Sequence, residues 1–269
     1  MTDSPAGQRR SGKFAVPSAT IHEETTMNSA RRGLLGLAAA LLLSLSGVAG
    51  AQDVLRVATD ATFPPFEYSE NGKRTGFDVD LIEAIAKVLN RKVEWTDIDF
   101  KGLIPGLLAN RYDVAASAIY ITDERRKVVA FTDPYYPGGL VIMTKKGDQS
   151  IKGPEDLKGK KVSVQVGTKS VNYLKENFPA TQPIEVEKNQ EMFQLVEVGR
   201  ADAAVTGKPA AKVYARTRGT LQVVDKQLTV EEYGYALRKD ETALLGQFND
   251  ALKKLKADGT YDKLVAKYL

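Results

Sequence analysis

The chain has 269 residues, of which 38 are Lys or Arg and 34 are Asp or Glu, and its net charge is +4. It contains no cysteine, and its only histidine is His22, close to the N-terminus. The rest of the chain therefore cannot build a Ser-His-Asp triad, a Cys-His pair or an ordinary zinc site. Balanced charges without basic runs also argue against a nucleic-acid surface. We expect no metal, no cofactor and no nucleic-acid partner.

The N-terminal segment has the pattern of an export signal. Two arginines, Arg31 and Arg32, are followed by an apolar run at 34–45 and by small residues at 49–51. This order is typical of a secretory signal peptide, and the paired arginines fit either the general or the twin-arginine route. The alternative, an uncleaved anchor, is disfavoured because a membrane span needs about 20 apolar residues.

We therefore expect residues 1–51 to be a leader with cleavage between Ala51 and Gln52, and Met27 to be its true start. Without the five basic and three acidic residues of positions 1–51, the remaining chain has 33 basic and 31 acidic residues. Residues 52–269 are enough for one large or two small domains.

The first half of this segment alternates strands and helices. At 76–90, for example, apolar residues recur at helical spacing, from Val79 through Ile82 and Ile85 to Leu89. The patterns predict strands at 54–59, 92–96, 114–117 and 140–144, with helices at 76–90 and 103–109.

After a polar, turn-rich stretch at 147–160 the same alternation begins again. The patterns predict strands at 162–166, 184–186, 203–206, 221–224 and 234–237, and helices at 169–177, 190–198, 209–216, 242–257 and 261–268. Strands that alternate with helices indicate parallel sheets with helical crossovers. Two parallel-sheet lobes are the simplest interpretation.

Arg125 is the main candidate for binding chemistry. It follows the predicted strand at 114–117, and Thr122 or Asp123 can cap the helical turn that carries it. Open α/β sheets bind ligands at such strand ends, and a guanidinium matches a carboxylate by two parallel hydrogen bonds. The alternative is a surface arginine that pairs with Asp123 or Glu124.

Six segments in the same order resemble the periplasmic amino-acid-binding proteins of ABC importers (solute-binding protein family 3), particularly the glutamine and basic-amino-acid branch. The resemblance covers essentially all of residues 53–269. The segments are ATDATFPPFEY, GFDVDLIEAIAK, DFKGLIPGLLANRYDVA, ITDERRKVVAFTDPYY, VGTKSV and DGTYDKL.

The resemblance implies an α/β, two-lobe periplasmic-binding-protein-like fold (type II) with two hinge strands. Lobe 1 would comprise residues 52–135 plus 235–269, and lobe 2 residues 136–234, with crossings near 135–139 and 232–235. The function implied is that of a periplasmic solute-binding protein, a monomer that captures a polar amino acid or related small carboxylate and delivers it to an ABC permease.

The resemblance also implies roles for ten ligand-binding residues. Arg125 would clamp the ligand's carboxylate, helped by the backbone of Ala118 and the turn at Thr168, while Asp60 would face its amine or side chain. The aromatic walls would be Phe63 and Phe100. Ser117, Tyr120, Gln165 and Gly207 complete the set.

Three of these positions depart from the family pattern. The family often has Thr or Ser where this chain has Tyr120, and the glutamine branch has Lys where it has Gln165. Its amine-binding aspartate aligns with Gly207. Because a buried ammonium without a carboxylate is costly, either Asp60 or Glu67 takes over that task, or the ligand is not an ordinary α-amino acid.

Two lysines near the expected cleft, Lys169 and Lys208, could favour an acidic ligand or simply be solvated. Two other functions stay open. Some relatives, the cyclohexadienyl dehydratases, catalyse an elimination that requires a carboxylic acid. Their catalytic glutamate falls near Ser170, in a segment (165–174) without a carboxylate. The other function is a ligand-binding sensor domain.

Overall fold

The computed structural model describes residues 53–269, and every statement below concerns that part of the chain. The predicted leader, with its cleavage site before Gln52, lies outside the described residues. Within them, no helix is long and apolar enough to cross a bilayer.

Fifteen strands are present in the described part of the chain. They are β1 (Val54–Thr59), β2 (Thr62–Phe63), β3 (Glu67–Glu70), β4 (Lys73–Thr75), β5 (Lys92–Asp97), β6 (Val114–Ala115), β7 (Ala130–Phe131), β8 (Tyr136–Pro137), β9 (Leu140–Lys145), β10 (Lys161–Gln165), β11 (Gln182–Val186), β12 (Ala203–Gly207), β13 (Leu221–Val223), β14 (Glu232–Tyr233) and β15 (Ala236–Leu237).

Eight α-helices accompany them, with short 3₁₀ turns at Phe100–Gly102 and Pro154–Leu157. The helices are α1 (Phe77–Val88), α2 (Leu103–Leu108), α3 (Asp123–Arg126), α4 (Lys169–Asn177), α5 (Asn189–Glu197), α6 (Lys208–Arg218), α7 (Thr242–Ala257) and α8 (Thr260–Tyr268). Each of the eight predicted helices or helical turns at 76–90, 103–109, 123, 169–177, 190–198, 209–216, 242–257 and 261–268 is confirmed to within two residues at its ends.

The strands form two five-stranded sheets. The first has the order β5-β1-β6-β15-β7, and the second has the order β11-β10-β12-β9-β13. The pairs of β1 with β5 and β6, and of β10 with β11 and β12, are parallel, as the alternating pattern predicted. The prediction of two sheet-based lobes is therefore confirmed.

The prediction of purely parallel sheets is wrong, however. Strand β9 is antiparallel to β12 and β13, and β15 is antiparallel to β6 and β7. Parallel neighbours need a crossover connection, usually a helix. Strands β9 and β15 instead follow directly on the segments that pass between the two sheets, so they enter in the opposite direction.

A two-stranded ribbon connects the sheets. Strand β8 pairs with β14, with Tyr136 opposite Tyr233 and Pro137 opposite Glu232. The two predicted crossings, near 135–139 and 232–235, coincide with this ribbon. Because the ribbon stands between the two sheets, the strand ends of β1, β6, β10 and β12 face one shared cleft.

Candidate functional site

The cleft between the sheets contains all ten residues predicted to bind a ligand. Asp60 follows β1, Ser117 and Ala118 follow β6, Gln165 ends β10 and Gly207 ends β12. This is where open α/β sheets place ligands. The full lining is Asp60, Phe63, Glu67, Phe100, Ser117, Ala118, Tyr120, Arg125, Leu140, Gln165, Thr168, Lys169, Ser170, Asn189, Met192, Val205, Thr206, Gly207 and Tyr233.

Arg125 is held by its own helical turn. The Thr122 hydroxyl caps α3 by accepting from the Arg125 backbone N–H at 3.2 Å. The guanidinium donates from Nη1 to the Tyr120 carbonyl at 2.9 Å and from Nη2 to the Gly167 carbonyl at 3.3 Å, and it lies 5.6 Å from the Phe100 ring centre. These two bonds use two of its five N–H donors.

The alternative of a surface ion pair is not what the structure shows. Within residues 53–269, Arg125 forms no ion pair with Asp123 or Glu124. Burial lowers the pKa of the Arg125 guanidinium to about 10, so it is still charged at neutral pH. A desolvated cation without a carboxylate partner is suited to bind an anion.

Asp60 is buried and fully engaged. Its Oδ1 accepts from the Lys188 ammonium at 3.0 Å and the Thr62 hydroxyl at 3.1 Å. Its Oδ2 accepts from the Phe100 N–H at 3.2 Å and the Gln165 amide at 2.7 Å. A carboxylate has about four acceptor positions, so these donors occupy Asp60. The carboxylate therefore connects the two sides of the cleft.

The cleft mouth carries two further connections between the sides. Lys188 also pairs with Asp99 at 2.7 Å, and Lys101 pairs with Glu187 at 2.5 Å. All four side chains are between 42% and 49% exposed. We call these two bonds the rim pairs. Exposed pairs of this kind contribute about 0–1 kcal/mol each, so they adjust the closure of the cleft without dominating it.

Ser117 connects Asp60 to a second buried acid, Glu67. The Ser117 hydroxyl accepts from the Asp60 N–H at 3.2 Å and donates to Glu67 Oε1 at 2.9 Å. The Glu67 side chain is only 1% exposed, and its carboxyl is hydrogen-bonded to that of Asp78. Burial raises the pKa of the Glu67 carboxyl well above its ordinary value.

Behind Glu67 lies Asp78, the first-turn acid of α1. Its Oδ2 accepts from the Ala118 N–H and from the Tyr135 hydroxyl, both at 2.8 Å. Burial raises the pKa of Asp78 to about 7, although its hydrogen bonds act to lower this pKa.

Ala118 has a φ of 42°, a conformation unusual for a residue with a side chain. Its N–H is occupied, so only its carbonyl can face a ligand.

Two tyrosines fill the space beside Gly207. The Tyr120 and Tyr233 rings stack at 4.5 Å, and the Tyr233 hydroxyl donates to that of Tyr120 at 3.0 Å. Tyr120 also bonds both the carbonyl (3.0 Å) and the N–H (3.1 Å) of Gly139. A Cβ at position 207 would lie 2.5 Å from Tyr233 Oη and 3.1 Å from Tyr120 Oη. The wall at Gly207 therefore has phenol hydroxyls and no room for a carboxylate.

The remaining predicted contacts have local roles as well. Thr168 precedes α4 and donates its hydroxyl to the Gln165 carbonyl at 2.7 Å. The Gln165 amide oxygen accepts from Asn189 at 2.8 Å. Lys169 lines the cleft but pairs with Glu231 at 2.8 Å.

Lys208 follows Gly207 but is not among the residues that line the cleft. Lys208 begins α6, and its ammonium donates to Gln227 at 2.5 Å in a separate groove beside the β8 strand.

Several other lining residues were not predicted from the sequence. Ser170, Asn189 and Met192 come from the first turns of α4 and α5, and Tyr233 comes from the ribbon. Ser170 is next to the predicted Thr168 turn, so the start of α4 signalled it. Asn189 and Met192 had no such signal, because helix periodicity does not reveal which end faces a cleft.

Comparison with known proteins identifies the family. Residues 55–269 match the family of bacterial extracellular solute-binding proteins, family 3. The chain belongs to this family. One curated relative, the ABC transporter arginine-binding protein 1 of Escherichia coli (strain K12), is 35% identical over 232 residues, covering 84% of this chain and 95% of the relative.

Solved structures of binding proteins have the same fold. An ancestral arginine-binding protein bound to arginine has a TM-score of 0.77 and 44% identity, over 80% of this chain and 98% of its own. The ancestral amino acid-binding protein AncCDT-1, a precursor of cyclohexadienyl dehydratase, has a TM-score of 0.77 and 43% identity, over 84% of this chain and 99% of its own. The predicted two-lobe, type II fold with two hinge strands is confirmed by these similarities together with the two sheets and their ribbon.

Proposed function

We propose that this protein is a periplasmic binding protein that captures a polar amino acid, or a related small carboxylate, and delivers it to an ABC permease. The observation that carries the proposal is Arg125, a desolvated guanidinium in the cleft with three N–H donors unused within residues 53–269. The names of curated relatives support an amino acid, since they include binding proteins for arginine, cystine and glutamine.

The proposal includes how the molecule moves and where it works. Residues 52–135 plus 235–269 form one lobe and residues 136–234 the other, and they close about the β8–β14 ribbon around the ligand. The mature chain acts as a monomer in the periplasm after cleavage between Ala51 and Gln52. One relative named as a periplasmic protein, for lysine, arginine and ornithine, supports this location.

Ligand-dependent stabilisation tests the proposal. The twenty common L-amino acids and a set of small carboxylates are screened by differential scanning calorimetry. A ligand at 100 times its Kd adds about 2.7 kcal/mol of stability, which corresponds to about 5–10 °C in Tm for a domain of this size. If no compound in the panel raises Tm, the proposal fails.

Arg125→Met should abolish that shift, because it removes the fork that binds the carboxylate. Arg126→Met is the matched control. Arg126 is the exposed neighbour on the same helical turn, and it lies 6.0 Å from the Phe131 ring centre. The control should keep the full shift. A loss of equal size in both variants would count against a specific role for Arg125.

An enzymatic role is not part of the proposal. A dehydratase would require a carboxylic acid in the cleft lining at the position of Ser170, which is a buried serine. Turnover of prephenate or arogenate by the purified protein would overturn this part of the proposal. A sensor role uses the same cleft, and neighbouring genes for a permease and an ATPase distinguish transport from sensing.

A further inference from the structure

Lys188 is a cation that the protein itself supplies to the buried acid Asp60. Asp60 is 1% exposed and follows β1 of the first sheet, whereas Lys188 directly precedes α5, which packs against the second sheet. The Lys188 ammonium lies 3.0 Å from Asp60 Oδ1 and 2.7 Å from Asp99 Oδ1. Because a buried carboxylate is costly without a counter-ion, this contact balances the charge of Asp60 from across the cleft.

The Asp60 carboxylate has no acceptor position left for a second cation. The Thr62 hydroxyl shares Oδ1 with Lys188, and the Phe100 N–H and the Gln165 amide occupy Oδ2. A carboxylate has about four acceptor positions, so all of them are in use. A cationic side chain of a ligand could reach Asp60 only by displacing Lys188, and the two like charges would then repel each other at close range.

The rest of the cleft lining favours neutral groups. Asp60 and Glu67 are the two acids among the lining residues, and the Glu67 carboxyl is hydrogen-bonded to that of Asp78. The second sheet and its helices contribute hydroxyl and amide groups that are 3–5% exposed, from Ser170, Asn189 and Thr206. Such groups exchange hydrogen bonds with a neutral polar side chain and do not balance a charge.

We propose that Lys188 sets the specificity of the cleft, so that it selects amino acids with a neutral polar side chain over those with a cationic one. This inference rests on the proposed function and narrows it. Lys188 is not among the lining residues, so it acts through Asp60, whose charge it balances. Specificity of this kind arises because the wrong ligand would leave a charge without a partner.

Isothermal titration calorimetry with matched pairs of L-amino acids tests the inference. The pairs are arginine with citrulline, ornithine with 5-hydroxynorvaline, and 2,4-diaminobutyrate with homoserine, and the two members of each pair have side chains of equal length. The wild-type protein should bind at least one neutral compound about tenfold or more tightly than its cationic partner. This comparison needs no variant, so it stands even if a substitution disturbs folding.

Lys188→Met should shift the preference toward the cationic compounds. The change leaves Asp60 without its counter-ion, and the cation of a ligand can then take that place. The ratio of the two affinities within a pair should move by about tenfold or more in favour of the cationic member. Lys188→Arg keeps a cation at this position and should keep the wild-type preference.

Lys101→Met is the matched control. Lys101 also forms a rim pair, with Glu187 at 2.5 Å, and it is 49% exposed where Lys188 is 42% exposed. Its ammonium has no ion pair with Asp60 within residues 53–269. Loss of this rim pair can change how readily the cleft closes, but it should change both members of each pair by the same factor.

The possible failures are distinguishable. Equal or tighter binding of the cationic members by the wild-type protein, or an unchanged ratio in Lys188→Met, would overturn the inference and leave the solute-binding role intact. A shift of the same size in Lys101→Met would overturn it as well, because the effect would then belong to closure of the rim. If the wild-type protein binds no member of the three pairs but does bind another common amino acid, the inference alone fails. If it binds no amino acid and no small carboxylate, the proposed function fails together with the inference.

Discussion

Replacement of Gly207 by alanine tests whether the two tyrosines exclude a side chain at that position. Gly207 has φ −65° and ψ 130°, values that any residue adopts, so the backbone itself does not resist the change. The added Cβ would lie 2.5 Å from Tyr233 Oη, 3.1 Å from Tyr120 Oη and 3.3 Å from the Phe63 ring. Both tyrosines are buried and stacked, so they can give way only at a cost.

The expected magnitude follows from two opposing effects. Overpacking a buried site costs about 1–3 kcal/mol, and Gly→Ala at an unstrained position regains about 0.4–1 kcal/mol by restricting the unfolded chain. Gly207→Ala should therefore lower the free energy of unfolding by about 1–2 kcal/mol, or Tm by about 2–8 °C. Urea denaturation followed by circular dichroism measures it.

Two further variants make the test specific. Gly246→Ala is the control. Gly246 is exposed on α7, and a Cβ there would have no atom within 4 Å. This change should raise the free energy of unfolding by about 1 kcal/mol. Tyr233→Phe removes the oxygen that the new Cβ would touch, so in the double variant Gly207→Ala should cost less than in the wild-type background. Unchanged stability in Gly207→Ala, or strict additivity in the double variant, would refute the steric reasoning.

Two more predictions concern the turn that carries Arg125 and the buried acids. Thr122→Ala removes the hydroxyl that accepts from the Arg125 N–H, and it should lower the free energy of unfolding by about 1 kcal/mol in urea titrations, whereas Thr122→Ser should retain it. For Asp78, whose folded pKa of about 7 is above its ordinary 3.8, protonation favours the folded state. The contribution of Asp78 to stability is therefore present below about pH 4 and lost as pH rises through about 7, with a slope of up to about 1.4 kcal/mol per pH unit. Asp78→Asn should flatten this part of the Tm profile between pH 4 and 7; an unchanged profile would contradict the assignment.

Local periodicity carried most of the fold prediction. Helices α4 and α7 have the predicted ends, because an apolar stripe and its flanking turns are contained within each segment. The direction of β9 depends on how the chain passes between the sheets, which no local pattern contains. The hairpin of β3 and β4 was missed although Asn71-Gly72, both with positive φ, is a typical turn pair, because its strands lack apolar alternation.

The site was predictable where residues follow strand ends. Asp60, Arg125 and Gln165 fall in the cleft because the carboxyl ends of parallel strands share one edge of each sheet. Their partners were not predictable. Asp60 and Lys188 are 128 positions apart, and only the closure of one lobe on the other joins them. Glu67 looks in sequence like an ordinary edge-strand acid, and its burial depends on the packing of the ribbon.

The rim pairs have a consequence for the conditions under which the molecule works. Both rim pairs, Lys101–Glu187 and Lys188–Asp99, are half exposed to water. Dissolved ions screen the attraction between exposed charges over a Debye length of about 8 Å at physiological salt, and this length falls as the salt concentration rises. The Arg125 guanidinium, which is desolvated, is far less sensitive. The salt concentration therefore affects the closure of the two lobes more than the interaction of Arg125 with a bound ligand.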